Sequence, residues 1–194
     1  MREEVRQVNV KLGWWDEPVS FKAAMTLLHS EVSEILEAWR DREFQSWEKE
    51  IFLYCHECED RDIAARQAHH PPKPEGFASE FADVLIRLLD DDERFNLVLA
   101  EHWHPDFEAY TLATYHTDYV PDNLDDLHND ISRASMEWES MTVPDVEKPY
   151  RRHLATLLTR LQQLANLYGV DLQAEYTRKM AFNKTRPYRH GKAV

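Results

Sequence analysis

From Leu27 to Arg40 the apolar residues Leu28, Val32, Ile35 and Trp39 recur at helical spacing and form a core-facing stripe. Carboxylates sit unusually close to that apolar side. Glu31 and Glu34 are three residues apart, so they project from neighbouring positions on one face. A second pair, Glu80 and Asp83, flanks Phe81 in a stretch whose inward positions are Phe77, Phe81, Val84, Leu85 and Leu88. Two carboxylate pairs on two core helices predict one divalent-metal site between those helices.

Four glycines and long runs of helix formers point to an all-α chain, and no period-two apolar run of convincing length appears. At 194 residues and 43% hydrophobic, the chain can bury a core. Its net charge of −13 argues against general nucleic-acid or anionic-membrane binding. No apolar run approaches the ~20 residues of a membrane span, and Met-Arg-Glu-Glu lacks the apolar core of a signal peptide. The expectation is a soluble, cytoplasmic protein.

In order, residues 1–20 read as a short lead-in, with Trp14 and Trp15 as packing residues. Ser20 is the expected N-cap of the first long helix, which reaches Arg40 and has room to run to Tyr54. Residues 41–76 hold Cys55 and Cys58, a Cys-x-x-Cys that raises a zinc site. The only nearby histidine pair is adjacent, His69-His70, so reduced cytosolic thiols are the reading adopted. A helix is expected from about Glu75 to Leu99, with Asp90-Asp91-Asp92-Glu93 as a solvated face or helix end. Two further stripes follow: Leu124, Leu127, Ile131, Ala134 and Trp138, then Leu154, Leu157, Leu158, Leu161, Leu164 and Tyr168. A last helix starts at Asp171, a good N-cap after Gly169, and runs to about Asn183.

Set side by side, the halves suggest a duplication. Leu28-His29-Ser30-Glu31-Val32-Ser33 resembles Leu127-His128-Asn129-Asp130-Ile131-Ser132, offset by 99 residues. Phe81 to Leu88 resembles Leu154 to Leu161, offset by 73. The first copy therefore carries about 26 extra residues, an insertion containing the cysteines. Glu31 and Glu34 become Asp130 and Arg133, while Glu80 and Asp83 become His153 and Thr156. Residues 1–118 and 119–194 are thus read as two tandem helical hairpins in one compact unit, the first with an insertion at about 41–74.

Converging carboxylates resist ionisation without a counter-charge. Oxygen-only ligation selects a hard cation, Mg²⁺ or Mn²⁺, and such a site invites a phosphate substrate. The chain after Tyr176 supplies Arg178, Lys179, Lys184, Arg186, Arg189 and Lys192 with no Asp or Glu, and Arg and Lys are the usual phosphate partners.

Glu31-x-x-Glu34 followed by Glu80-x-x-Asp83 resembles the signature of the all-α nucleoside triphosphate pyrophosphohydrolases, the MazG-like and dimeric dUTPase superfamily. Gly13-Trp14-Trp15-Asp16, Lys73-Pro74-Glu75-Gly76-Phe77 and the ending from Lys179 through Asn183, Lys184, Thr185, Arg186 and Pro187 to Gly191 look like MazG-like proteins. The resemblance implies a helical bundle, usually of associating protomers, and Mg²⁺-dependent hydrolysis of a (d)NTP to monophosphate and pyrophosphate. It implies that Glu31, Glu34, Glu80 and Asp83 hold the metal, with Mn²⁺ as a substitute. It further implies that Glu34 and Glu37 serve catalysis and that Lys179, Asn183, Arg186 and Arg189 bind the nucleotide.

In the first copy Asp106 and Tyr110 match Lys179 and Asn183, while the second copy lacks the carboxylates. These complementary losses predict one site per chain, an intrachain pseudo-dimer or part of a homo-oligomer, and an inactive fragment 1–118. Two other readings compete: a non-catalytic helical interaction protein, and a di-iron carboxylate oxidoreductase. The second rests on Glu101-x-x-His104, which Pro105 follows at once, and on Asp125-x-x-His128.

Overall fold

The computed structural model describes residues 1–43, 47–49, 73–99, 119–140 and 149–191. These are mostly helical, as the periodicity predicts. The elements are α1 (Arg2–Lys11), α2 (Phe21–Arg40), β1 (Trp47–Lys49), β2 (Lys73–Glu75), α3 (Phe77–Phe95), α4 (Val120–Ser140), α5 (Pro149–Leu167) and α6 (Leu172–Asn183), followed by a 3₁₀ turn at Tyr188–Gly191. Cys55, Cys58, His69, His70, Glu101, His104, Asp106 and Tyr110 lie outside the described residues.

The caps are local in origin. The Ser20 hydroxyl accepts from the Ala23 N–H at 3.2 Å, and Asp171 Oδ1 accepts from the Ala174 N–H at 2.9 Å. Helix α2 stops at Arg40 and does not continue to Tyr54. Arg42 takes a left-handed φ of 61°, which an α-helix cannot accommodate, and β1 follows. Helix α3 ends earlier than expected, at Phe95, on Asn96 at φ 49°. Strands β1 and β2 form a three-residue antiparallel pair, with Trp47 opposite Glu75.

Every apolar stripe read from the sequence faces inward. Leu28, Val32, Ile35, Phe81, Val84, Leu88, Leu127, Ile131, Leu154, Leu157, Leu161 and Leu164 are all buried in one continuous core. Helices α2 and α3 pack as one hairpin, α4 and α5 as another, and α2 lies against α4. Near one end of the core, Phe21 stacks on Trp138 at 4.2 Å and meets Phe95 and Tyr150 edge-on at 5.2 and 5.4 Å. Midway along the α2–α4 contact, His29 Nδ1 lies 2.8 Å from His128 Nδ1, with the rings 16° from parallel. No helix among the described residues is long and apolar enough to cross a membrane.

Helix α1 is a correction to the expected lead-in. Its stripe is thin, Val5 and Val8 with Leu12 just beyond, which is too short a run to assert a helix from period alone. It packs across α3 and overturns a second expectation. Asp90, Asp91 and Asp92 are 3%, 2% and 5% exposed, not a solvated face. Partners brought by α1 and the following loop compensate two of them. The Trp15 indole N–H donates to Asp90 Oδ1 at 2.9 Å, and Arg2 pairs with Asp92 at 3.4 Å.

Candidate functional site

Helices α2, α3 and α6, the α1–α2 loop and β2 enclose a cavity of about 480 Å³. Glu31 and Glu34 reach it from α2, Asp83 and Arg87 from α3, and Asn183 and Arg186 from the end of α6. Helix α6 packs on α3, which brings the basic C-terminal segment opposite the carboxylates. Leu12, Trp14, Val19, Ala24, Leu27 and Ile86 supply an apolar wall beside this charged end. Trp14, expected only to pack, is therefore a lining residue and 38% exposed.

Three of the four carboxylates already hold protein cations. Arg87 donates to Glu31 Oε1 from Nη2 at 2.9 Å and from Nε at 3.3 Å. Lys179 Nζ lies 2.5 Å from Asp83 Oδ2 and 3.9 Å from Glu80 Oε1. Glu34 alone of the four has no cation in ion-pair contact among the described residues. Burial and the charges of Glu31 and Asp83 push its carboxyl above the ordinary range, against the pull of Lys73 and Lys179. Burial also pushes Glu80 up, against Lys179.

The expected site residues divide on this geometry. Glu31, Glu34, Asp83, Asn183 and Arg186 line one cavity, and Glu80 is outside that lining, buried beside Lys179. Lys179 does not line it; at 2% exposure it is a buried partner of Asp83. Glu37 is exposed and also outside the lining, because each three-residue step along α2 rotates the side chain by about 60°. Arg189 pairs with Glu17 at 3.2 Å and its N–H donates to the Leu12 carbonyl at 2.9 Å, so it anchors the C-terminal turn to the α1–α2 loop. That docking depends on Gly13, at φ 80°, since a β-carbon there would sit 2.3 Å from the Tyr188 ring.

Sequence reasoning missed Lys73, Arg87, Asp90, Asp91 and Arg94 as lining residues. Arg87 had a readable signal, one helical turn after Asp83. Asp91 is the most unusual of the group: its Oδ2 has no hydrogen-bond partner, and burial pushes its carboxyl up to about 7, with Arg87 opposing. A carboxyl raised in the folded state favours folding below its unfolded value of 3.8 and loses that stability as pH rises toward 7. Asp91→Asn mimics the neutral acid, so it should raise Tm by more at pH 8 than at pH 5. An equal gain or a loss at both pH values, read by thermal melts, would contradict this.

The donor chemistry of the four carboxylates suits a hard cation, but their arrangement does not. Among the described residues no three His, Cys, Asp or Glu side chains gather so as to hold a metal ion. The reason lies in the ion pairs: Arg87 draws Glu31 aside, and Lys179 holds Asp83 beside Glu80. Compared with family models, with curated proteins and with solved structures, the chain has no match in any of the three.

Proposed function

We propose that this cavity binds a nucleoside triphosphate and hydrolyses it to the monophosphate and pyrophosphate. The observation that carries the reading is the facing of Arg186 and Asn183, from the second half, toward Glu34 and Asp83, from the first, across one cavity. Arg186 has no carboxylate within ion-pair distance among the described residues, and burial pulls its pKa down. A half-buried guanidinium without an anionic partner is a ready acceptor of phosphate oxygens, which it can bind through two parallel N–H bonds. The apolar wall containing Trp14 and Leu27 takes the base and sugar.

The chemistry asked of the chain is a displacement at the α-phosphorus. A water oxygen bonds to phosphorus, the bridging P–O bond to the β-phosphate breaks, and pyrophosphate leaves. Glu34 receives the water's proton: burial and the charges of Glu31 and Asp83 raise its pKa, which makes it a better base than an ordinary surface carboxylate. Arg186, Asn183 and Lys73 hold the phosphates in line. Dependence on Mg²⁺, with Mn²⁺ as a substitute, belongs to the proposal on the oxygen-only donor chemistry alone. The cellular reading is cytoplasmic nucleotide-pool metabolism.

The tandem-hairpin architecture is part of the same proposal. His29 and His128, equivalent at the 99-residue offset, touch each other. The Glu31–Arg87 ion pair has its counterpart in Asp130–Arg160, at 3.3 Å, the second arginine lying at the 73-residue offset. Contacts between equivalent residues and repeated ion pairs support an intrachain pseudo-dimer with one catalytic cluster.

The test is a panel of canonical and modified (d)NTPs with Mg²⁺, scored for monophosphate and pyrophosphate together. Arg186→Ala is expected to lower kcat/KM by about 10–100-fold, mainly through KM, as loss of a charge-assisted phosphate contact of about 1.5–3 kcal/mol requires. No pyrophosphate from any nucleotide would leave a helical interaction protein as the better reading.

A further inference from the structure

Beyond the Asp83 and Arg186 end, the cavity holds polar groups that the phosphate reading leaves unused. On α3, Asp91 lies eight residues past Asp83, about 12 Å along the helix axis. Asn9 of α1 belongs to this second end: its carbonyl accepts from the Trp14 N–H at 2.9 Å, and the Trp14 carbonyl accepts from Arg94 at 3.1 Å. Asp90 and Arg94 are already engaged. Asp90 Oδ1 accepts from the Trp15 indole at 2.9 Å, and its Oδ2 from Arg94 at 3.2 Å. Asp91 and Asn9 differ from them. Asp91, 2% exposed, borders the cavity, and its Oδ2 has no hydrogen-bond partner among the described residues. The half-buried side-chain amide of Asn9 also borders the cavity and makes no hydrogen bond among those residues.

We infer that Asn9 and Asp91 read the base of the nucleotide, and that this base is guanine. The inference rests on the nucleotide reading above and names its substrate class. An ionised carboxylate offers acceptors only, so it selects a base edge with two adjacent donors. Among the common bases guanine has that edge, with N1–H beside the N2 amino group. Adenine and cytosine set an amino group beside a bare ring nitrogen, and uracil and thymine set one N–H between two carbonyls. On the adjoining edge, guanine O6 and N7 are acceptors, which suit the amide N–H donors of Asn9. Trp14, 38% exposed on the cavity wall, offers a face on which the ring stacks. Burial pushes the Asp91 carboxyl up to about 7, with Arg87 opposing, and two N–H donors favour its ionised form. A guanine edge thus brings the donors that the orphaned oxygen lacks.

The test is calorimetric binding of the full chain, with Mg²⁺ present, to non-hydrolysable α,β-imido triphosphates of deoxyguanosine, deoxyinosine, deoxyxanthosine, deoxyadenosine, deoxycytidine and thymidine. The deoxyguanosine analogue should bind tightest to wild type. Deoxyinosine lacks only the N2 amino group, and loss of that bond to a charged acceptor predicts about 10–100-fold weaker binding. Asp91→Asn replaces two acceptors by one acceptor and one donor, which match N1–H and the C2 carbonyl of xanthine. This variant should therefore prefer the deoxyxanthosine analogue to the deoxyguanosine one. Asn9→Ala should weaken the deoxyguanosine and deoxyinosine analogues alike, by about 2–10-fold, because both bases carry O6 and N7. Equal wild-type affinity for those two analogues, tighter binding of another base, or a guanine preference kept in Asp91→Asn overturns the base reading while nucleotide binding stands. No binding of any analogue overturns both.

Discussion

Glu34→Gln should reduce nucleotide turnover by about 10²–10⁴-fold, the range for loss of a general base, while leaving the melting temperature equal to or slightly above wild type. The two halves of that expectation have one source. Glu34 is the carboxylate of the cluster without a protein cation, and its charge is opposed by burial and by Glu31 and Asp83. Removing the charge relieves a repulsion the fold does not need, and glutamine keeps the volume. Steady-state kinetics on the best nucleotide of the panel, beside a thermal melt and a helical CD spectrum, separate the effects. Normal turnover would remove Glu34 from the chemistry. A large drop in Tm would mean that the carboxylate had a structural role instead.

The largest effect on stability is expected at Phe21. Its ring is 3% exposed and touches Phe95 of α3, Trp138 of α4 and Tyr150 of α5, so one side chain from α2 ties together both hairpins. Phe21→Ala removes a buried ring and leaves a cavity bordered by three aromatic groups that cannot all collapse into it. The expected cost is about 3–5 kcal/mol, a large part of the ~5–15 kcal/mol that holds a domain folded. At this chain length that is a fall in Tm on the order of 10 °C. Phe21→Leu keeps most of the volume but loses the stacked and edge-on pairs, worth about 0.5–1.5 kcal/mol each, and should fall between. A drop of less than about 2 °C for the alanine variant would show that the hairpins are joined elsewhere.

The helices carrying the site were legible because their stripes and caps are local. Leu28, Val32 and Ile35 repeat at helical spacing, and Ser20 and Asp171 satisfy N–H groups three residues on. Helix α1 was not, since Val5 and Val8 make too thin a stripe, and the burial of Asp90 to Asp92 followed from that omission. An acidic run looks solvated until a covering helix brings Arg2 and Trp15 to it. The carboxylates of the cavity were legible as types and spacings. What the spacing could not carry was which cation each would meet. Lys179 and Asp83 are 96 residues apart in the chain, and only tertiary packing makes them a pair. Arg186 and Arg189 are three apart and look alike in sequence, yet one lines the cavity and the other is bound to Glu17 on the neighbouring loop.

The histidines at the α2–α4 contact impose a condition of another kind. Two Nδ1 atoms 2.8 Å apart can be hydrogen-bonded only if one carries hydrogen and the other does not. Their environment favours the uncharged rings, as burial pulls both below the ordinary histidine value. However alike the two hairpins are in backbone, their seam cannot be symmetric in protons. One half must be the giver and the other the taker, and the choice between tautomers makes a pair of matching helices into a directed one.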